Sequence, residues 1–238
     1  MERGTVVIWG DDPSSALVTG PVARAPRAAV LLLHGGRENG VDAPPLWNLP
    51  GLRMRPFARA VGRAVDGHDV VVGRVRYRCR GWNGAREDPL HDARAALDAL
   101  ERRFGEIPTV LVGHSMGGRA ALRAAGHRLV RGVVGLAPWC PEGEPVEQLA
   151  GRRVVLLHGD MDRTTDPRAS AAYAARASKA GAQACLVLVD GAGHAMLQRP
   201  RTWHALTAGS VTGLLGLGPL PPVIARSSGA GGGPVRVG

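Results

Sequence analysis

The 238-residue chain is long enough for one well-buried domain but short for two. Its hydrophobic content of 45% and charged content of 21% are typical of a soluble globular protein, and no apolar stretch is long enough to span a membrane. The net charge of +10 comes from scattered arginines with a single lysine, Lys179, so we expect no nucleic-acid-binding surface. Three cysteines without metal-like spacing, and an N-terminus without a secretory profile, predict a cytoplasmic, reduced protein that binds no metal.

Short apolar runs alternate with helical patterns along the chain. The runs predict strands at residues 5–9, near 17–18, and at 30–33, 69–77, 109–114, 133–136, 154–157 and 184–189. The helical patterns predict helices at about residues 55–65, 89–104, 117–126, 167–180 and 201–215. Buried strands that alternate with helices indicate an α/β fold, with a mostly parallel central sheet and helices on both faces.

The domain organisation follows from where these patterns end. We expect a single domain over residues 1–217. From residue 218 the composition changes to Pro, Ser and Gly, which bury too little apolar surface to offset the entropy cost of ordering. Residues 218–238 are therefore predicted to be a disordered tail.

The segment from Val110 to Arg119 contains the motif Gly-x-Ser-x-Gly between a predicted strand and a predicted helix. This order indicates a tight turn with Ser115 at its apex, where the hydroxyl is presented at the sheet edge. In a chain with 34 glycines the motif can arise by chance, so the rest of the chain must support it. A serine nucleophile needs a base, and the base needs a carboxylate that orients it.

The loops after the other predicted strands supply such groups at the same sheet edge, where ligands of open α/β sheets bind. His194 follows the last predicted strand and is the candidate base. Asp162 is a candidate acid, and Asp160 and Asp190 are its rivals. Alternation along an extended segment puts Asp160 and Asp162 on the same side, so the pattern leaves the choice between them open.

Four motifs together resemble the α/β-hydrolase fold superfamily over about residues 28–216. They are His34-Gly35-Gly36, Gly113 to Gly118, His158-Gly159-x-x-Asp162 and Gly193-His194. The resemblance implies that Asp162 is the acid of a Ser115–His194–Asp162 triad. It also implies that the backbone N–H groups of Gly36 and Met116 form the oxyanion hole, and that neither a metal nor an organic cofactor is needed.

The rim of the predicted cleft carries few other signals. Trp82 and Trp139 lie in loops at its edge, and we predict that both contact substrate, with packing as the alternative. Arg37 and Arg80 are weaker candidates for anion contact, because arginine is abundant throughout the chain. Only 17 residues (153 − 136) separate the strand ends Leu136 and Val154, which leaves no room for a cap domain and at most a short flap over 141–149.

The sequence therefore predicts a small uncapped serine esterase that cleaves carboxylic esters of small molecules through an acyl-enzyme. The same triad also suits an acyltransferase, a thioesterase or a cyclase of a biosynthetic pathway. A non-catalytic binding protein on the same fold is a third reading, against which the complete set of triad residues argues. No membrane partner is expected, and the sequence leaves the oligomeric state open.

Overall fold

The computed structural model describes residues 15–20, 25–45, 47–227 and 233–238. Eight strands form one sheet in the order β1-β3-β2-β4-β5-β6-β7-β8. The strands are β1 (Leu17–Thr19), β2 (Ala28–Leu33), β3 (Val70–Val75), β4 (Thr109–His114), β5 (Val130–Leu136), β6 (Arg153–Gly159), β7 (Gln183–Val189) and β8 (Val235–Val237). The helices are α1 (Leu49–Ala64), α2 (Asp88–Phe104), α3 (Met116–Ala124), α4 (Pro167–Lys179), α5 (Pro200–Leu214) and α6 (Pro222–Ser227). Strand β1 pairs antiparallel with β3, and the other described pairings are parallel.

Helices cover both faces of the sheet, as the sequence predicts. Buried side chains of α2, α3 and α4 pack on one face, and those of α1, α5 and α6 pack on the other. Within β2, Leu31 and Leu33 belong to the first core, whereas Val30 and Leu32 belong to the second. Strands covered on both faces need apolar side chains at successive positions, which explains the continuous runs in the sequence.

The predicted elements between residues 17 and 215 are all present. Helix α1 starts at Leu49, ahead of the predicted start near residue 55, because Pro50 lies in the first turn, where its missing N–H costs no hydrogen bond. The strand predicted at residues 5–9 lies outside the described residues. Within the part of the chain that is described, no helix combines the length and the apolar character needed to cross a bilayer.

The C-terminal segment differs from the predicted disordered tail. Residues 222–227 form α6, whose Ile224 is fully buried in the core. Residues 235–237 form β8, which pairs with β7 from Val187 to Val189. The edge of a sheet presents unpaired N–H and C=O groups, and the three residues of β8 form hydrogen bonds with them. So short a strand contains no long apolar run, and an argument from composition therefore does not detect it.

The connection from β5 to β6 contains only a short 3₁₀ helix, Glu147–Leu149, and all of its residues are described. There is no cap domain in this connection, as the sequence predicts. The segment expected as a flap is fastened to the body of the protein. Glu144 is 3% exposed and forms ion pairs with Arg119 and Arg123, and Tyr173 Oη donates a 2.9 Å hydrogen bond to the carbonyl of Pro145.

Candidate active site

Ser115 occupies a strained turn between β4 and α3. Its φ of 54° and ψ of −120° lie in a region that side chains other than glycine rarely adopt, at a typical cost of about 1 to 3 kcal/mol. The turn is held by a hydrogen bond from Ser115 N–H to the carbonyl of Leu136 (3.0 Å) and one from Trp139 N–H to the carbonyl of Ser115 (3.1 Å). These bonds lift the serine side chain above the end of the strand.

Two glycines allow this turn to form. A Cβ on Gly113 would lie 2.2 Å from the carbonyl oxygen of Gly117, and a Cβ on Gly117 would lie 2.4 Å from the carbonyl oxygens of Leu33 and His34. Both contacts are with backbone atoms, which cannot move aside as a flexible side chain can. Glycine at these two positions is therefore required by the close approach of α3 to the ends of β2 and β4.

The structure brings Ser115, His194 and Asp162 together, although β4, β6 and β7 carry them into three separate loops. Ser115 Oγ lies 3.0 Å from His194 Nε2, and His194 Nδ1 lies 2.8 Å from Asp162 Oδ2. In the arrangement that fits both distances, the serine hydroxyl donates to Nε2 and Nδ1–H donates to the carboxylate. Ser115 is 9% exposed and the Asp162 side chain is fully buried, so this chain of hydrogen bonds is largely shielded from water.

The Asp162 carboxylate accepts hydrogen bonds on both oxygens. Oδ1 accepts from the backbone N–H groups of Thr164 (2.7 Å) and Thr165 (3.0 Å), and Oδ2 accepts from the Thr165 hydroxyl (2.9 Å) and from His158 Nε2 (3.2 Å). Burial alone would raise the pKa of Asp162. The hydrogen bonds from His158, His194 and the two N–H groups outweigh burial, so the pKa of this carboxyl lies well below its usual range. Asp162 is therefore ionised at neutral pH.

The two rival acids contact the C-terminal strand instead of His194. Asp160 Oδ1 accepts a 2.7 Å hydrogen bond from Gly191 N–H, and its other oxygen pairs with Arg236 of β8. Asp190 also pairs with Arg236, at 2.8 Å. Asp160 and Asp190 therefore join the ends of β6 and β7 to β8.

The two predicted oxyanion-hole residues lie in contact. Met116 is the first residue of α3, so its N–H has no partner within the helix. Gly36 N–H makes no hydrogen bond to any residue in the described ranges. A Cβ on Gly36 would lie 2.4 Å from Met116 Cε and 2.5 Å from the carbonyl oxygen of Arg80, so the glycine loop is packed tightly against the start of α3.

Trp82 and Trp139 differ in their placement. Trp82 is 2% exposed and belongs to the core, so the structure gives it a packing role in place of the predicted contact with substrate. The Arg119 guanidinium lies 3.8 Å from the ring centre of Trp82 and 4.5 Å from that of Trp139, so both rings pack around a charged group that is paired with Glu144. Trp139 is partly exposed beside the serine turn, and its contact with substrate stays a prediction.

Two histidines that flank the site in sequence make local contacts. His114 is 1% exposed and its Nε2 lies 3.1 Å from the carbonyl of His194, to which it donates. Burial, followed by the nearby charge of His194, lowers the pKa of His114 to about 3. His34 donates from Nδ1 to the carbonyl of Gly35 at 2.7 Å and accepts a hydrogen bond from the Asn48 amide at 3.1 Å.

Sequence reasoning missed the role of His158 and Thr165 around the acid. His158 is fully buried, its Nδ1 accepts from Ser170 Oγ at 2.8 Å, and its Nε2 donates to Asp162. The signal available was the His-Gly-x-x-Asp spacing, which places His158 four residues before Asp162 at the end of β6. The pattern made Asp162 the candidate acid but did not predict that the histidine would contact it.

One group of potential metal ligands lies away from the cleft, among the described residues. Oxygen and nitrogen atoms of Asp98, Glu101 and His127 are all within 4.8 Å of one another. His127 already pairs with Asp98, and Glu101 pairs with Arg128, at the edge of the sheet where strands begin. Existing ion pairs account for this cluster.

Solved structures with the same fold include enzymes described as serine hydrolases. An alpha-beta serine hydrolase homologue from Coxiella burnetii is 16% identical, with a TM-score of 0.59, over 87% of this chain and 98% of that one. A serine hydrolase without a lid from Xanthomonas campestris is 17% identical, with a TM-score of 0.58, over 89% and 95%. A thermostable carboxylesterase cloned from a metagenomic library is 20% identical, with a TM-score of 0.62, over 84% of each chain. At these identities the likeness establishes the fold alone.

Comparison of the amino-acid sequence with known proteins and families shows which family the chain belongs to. No curated protein sequence matches the chain. Residues 30–159, however, match the model of the Alpha/beta hydrolase family, which covers more than half of the 238 residues and includes the serine turn. The chain therefore belongs to the alpha/beta hydrolase family.

Proposed function

We propose that this protein is a serine esterase that cleaves carboxylic esters of small molecules, with Ser115 as nucleophile, His194 as general base and Asp162 as the acid that orients it. The observation that carries the proposal is the continuous hydrogen-bond chain of 3.0 Å and 2.8 Å through the three side chains. A serine hydroxyl is a weak nucleophile unless a base in hydrogen-bond contact removes its proton. The ionised Asp162 supports this by stabilising the protonated form of His194.

The reaction follows from the positions of these groups. Ser115 Oγ attacks the acyl carbonyl carbon while its proton moves to His194 Nε2, giving a tetrahedral intermediate. The intermediate collapses, His194 returns the proton to the leaving alcohol oxygen, and the acyl group stays on Ser115 as an ester. Water then attacks this acyl-enzyme with His194 as base, which releases the carboxylic acid and restores the serine.

The oxyanion of the intermediate requires N–H donors near Ser115. We assign this role to Met116 and Gly36, whose N–H groups have no partner within the helix or loop that contains them. A donor of this kind contributes about 3 to 4 kcal/mol to transition-state stabilisation in enzymes where it has been removed. The packing of Gly36 against Met116 supports a fixed distance between the two donors.

Hydrolysis is favoured over acyl transfer by the shape of the connections around the serine. The connection between β5 and β6 contains no cap domain that would enclose an acyl group bound to Ser115. An acyl-enzyme that water can reach is hydrolysed unless the protein binds another acceptor close to the acyl group. The serine hydrolase and carboxylesterase descriptions of structures with this fold are consistent with the same activity.

Labelling with a fluorophosphonate probe tests the nucleophile. The native protein should be labelled at Ser115, and Ser115→Ala should lose all labelling together with hydrolysis of p-nitrophenyl acetate. Ser178→Ala, which changes an exposed serine on α4, serves as the control and should behave as the native protein. Labelling that persists in Ser115→Ala would refute the assignment. A second experiment on the native protein analyses the products formed in the presence of methanol. Hydrolysis yields the carboxylic acid, whereas acyl transfer yields the methyl ester.

A further inference from the structure

The arginines of α1, α5 and α6 lie together on one face of the sheet. They are Arg53, Arg55, Arg59 and Arg63 of α1, Arg199 and Arg201 at the start of α5, and Arg226 of α6. The three helices pack on the same side of the sheet, and all of these side chains are exposed except that of Arg53, which is half-buried. Charges that are scattered along the sequence therefore form one basic face in the fold.

The basic face holds no carboxylate of its own. Residues 43–65 and 191–238, which include all three helices, contain neither aspartate nor glutamate. Within the described part of the chain, none of the arginines on this face forms an ion pair with a carboxylate. Around α2 and α3, by contrast, Arg78, Arg123 and Arg128 are paired with carboxylates. The protein leaves the charge of the basic face without a counter-charge, which favours an anionic partner.

Helices α1 and α5 run side by side and start at the edge of the sheet that carries Ser115. Each follows a strand of the parallel sheet, and the rings of Phe57 on α1 and His204 on α5 are in edge-to-face contact, with their centres 4.7 Å apart. Neither helix has an acidic residue in its first turn, so the partial positive charge of each helix N-terminus adds to that of the arginines. The basic face therefore reaches the edge of the candidate active site.

Large apolar side chains are exposed at the same edge. Among the described residues the three most exposed are Trp47 (82%), Leu197 (73%) and Leu49 (71%). Leu49 begins α1 and Trp47 lies just before it, whereas Leu197 lies between His194 and the start of α5. The three side chains, here called the apolar patch, therefore lie at the neighbouring starts of α1 and α5. Exposed apolar side chains that cluster beside a site indicate a contact surface for a partner.

From this juxtaposition we propose that the starts of α1 and α5 dock on an anionic lipid surface. The apolar patch enters the boundary between headgroups and acyl chains, and the arginines of the basic face contact the lipid phosphates. Both groups are needed, because one weak signal alone gives only marginal attachment to a membrane. The scattered arginines of the sequence predicted no such partner, and only the fold brings them to one face. The inference adds a partner and does not depend on the proposed esterase activity.

Two other occupants fit this surface less well. A nucleic acid offers phosphates to the arginines, and its bases can stack on Trp47, but it offers no apolar layer to Leu49 and Leu197. A second copy of this chain would bring two basic faces together, and charges of the same sign repel. A lipid surface with anionic headgroups satisfies the arginines and the apolar patch at the same time.

Co-sedimentation with vesicles tests the basic face, in the Ser115→Ala protein so that any ester in the lipid stays intact. We expect this protein to bind vesicles of phosphatidylcholine with about 30% phosphatidylglycerol at least about tenfold more tightly than vesicles of phosphatidylcholine alone. Adding Arg55→Gln and Arg201→Gln should weaken binding to the anionic vesicles about 20-fold, at about fivefold per charge. Adding Arg94→Gln and Lys179→Gln instead removes the same net charge from exposed positions on α2 and α4, and should change binding by less than about twofold.

Leu49→Ser combined with Leu197→Ser tests the apolar patch in the same Ser115→Ala protein. This pair should weaken binding to the anionic vesicles by about tenfold or more, because two side chains no longer enter the lipid. Binding that remains should still decrease as salt is added, since the arginines are unchanged.

Three outcomes would overturn the proposal. The first is no binding to the anionic vesicles, and the second is an equal loss of binding in the two charge-reduced proteins, which would mean that net charge acts without the basic face. The third is tighter binding to a DNA duplex than to the vesicles, with the leucine pair without effect on either, which would favour a nucleic acid as the partner. None of these outcomes bears on ester hydrolysis, because every arm lacks the Ser115 hydroxyl.

Discussion

His158 Nε2 lies 3.2 Å from Asp162 Oδ2, and both side chains are completely shielded from solvent. The same carboxylate oxygen also receives the hydrogen bond from His194 Nδ1. A buried carboxylate is costly unless several donors stabilise its charge, and His158 is one of these donors. The second histidine therefore acts on the candidate site through the acid, without contact with the serine.

We expect His158→Phe to lower kcat of the proposed ester hydrolysis by about tenfold while KM changes little, because one charge-assisted hydrogen bond to Asp162 is lost. Ser170→Ala removes the donor on the other side of the His158 ring but leaves its contact with Asp162, so it should cost less. Steady-state kinetics on both variants, with circular dichroism to verify folding, provide the measurement. An equal loss in both variants would contradict the role of the His158–Asp162 contact.

Asp162→Asn and Asp160→Asn form a matched pair for the identity of the acid. In Asp162→Asn the new amide cannot hold His194 with Nδ1 protonated, and we expect kcat of ester hydrolysis to fall by about 10⁴-fold, as a wrong tautomer does in the serine triad. Asp160→Asn weakens contacts with Gly191 and Arg236 and should cost less than about tenfold. Comparable losses in the two variants would refute Asp162 as the acid.

Gly36→Ala tests the glycine loop as an oxyanion donor. The added Cβ meets the carbonyl of Arg80 at 2.5 Å, so the loop must move and its N–H must leave its position. We expect kcat to fall by about 10²- to 10³-fold. Gly62→Ala is the control, because nothing lies within 4 Å of that position on α1, and it should raise helix stability by about 0.5 to 1 kcal/mol. Unchanged kcat in Gly36→Ala would exclude this donor.

The buried His114 predicts a loss of stability in mild acid. Its pKa is about 3 in the folded protein and near 6.5 in an unfolded chain, so between these pH values only the unfolded state binds the proton. The free energy of unfolding therefore decreases as the pH falls from 6.5 towards 3. Between pH 7 and 4.5 the native protein should lose about 2 to 3 kcal/mol more than His114→Gln, which keeps an N–H donor for the carbonyl of His194.

Urea unfolding at pH 7 and at pH 4.5 measures this difference. The window lies above the usual aspartate range, so protonation of Asp162 contributes little within it. Parallel curves for the two proteins would contradict the burial-induced shift of His114.

Local sequence patterns predicted most of the fold because the constraints involved are local. The apolar runs of β2, β4 and β6 identified strands covered on both faces, and the Gly-x-Ser-x-Gly spacing identified a turn that only glycines at Gly113 and Gly117 permit. The C-terminal strand β8 escaped prediction because three residues carry no periodic signal. It forms only because β7 presents an unpaired edge.

The burial of Trp82 could not be predicted from the sequence either. An aromatic residue in a loop after a strand can face the cleft or the core, and its own neighbours do not distinguish the two. The outcome was decided by Arg119 on α3, whose guanidinium lies against the ring and is itself neutralised by the buried Glu144. Such a contact depends on three separate elements meeting in space.

The sequence by itself determined the parallel sheet, the absence of a cap between β5 and β6, and the set of loops that meet at one sheet edge, since period and segment length decide these features. Only the tertiary structure decided which aspartate reaches His194. The chain turns after Gly159, where Asp162 N–H bonds back to the carbonyl of that glycine, so the alternation that places Asp160 and Asp162 on one side no longer applies. Asp160 pairs with Arg236, which is 76 residues away along the chain. A local sequence pattern does not predict which distant charged residues meet in the folded protein.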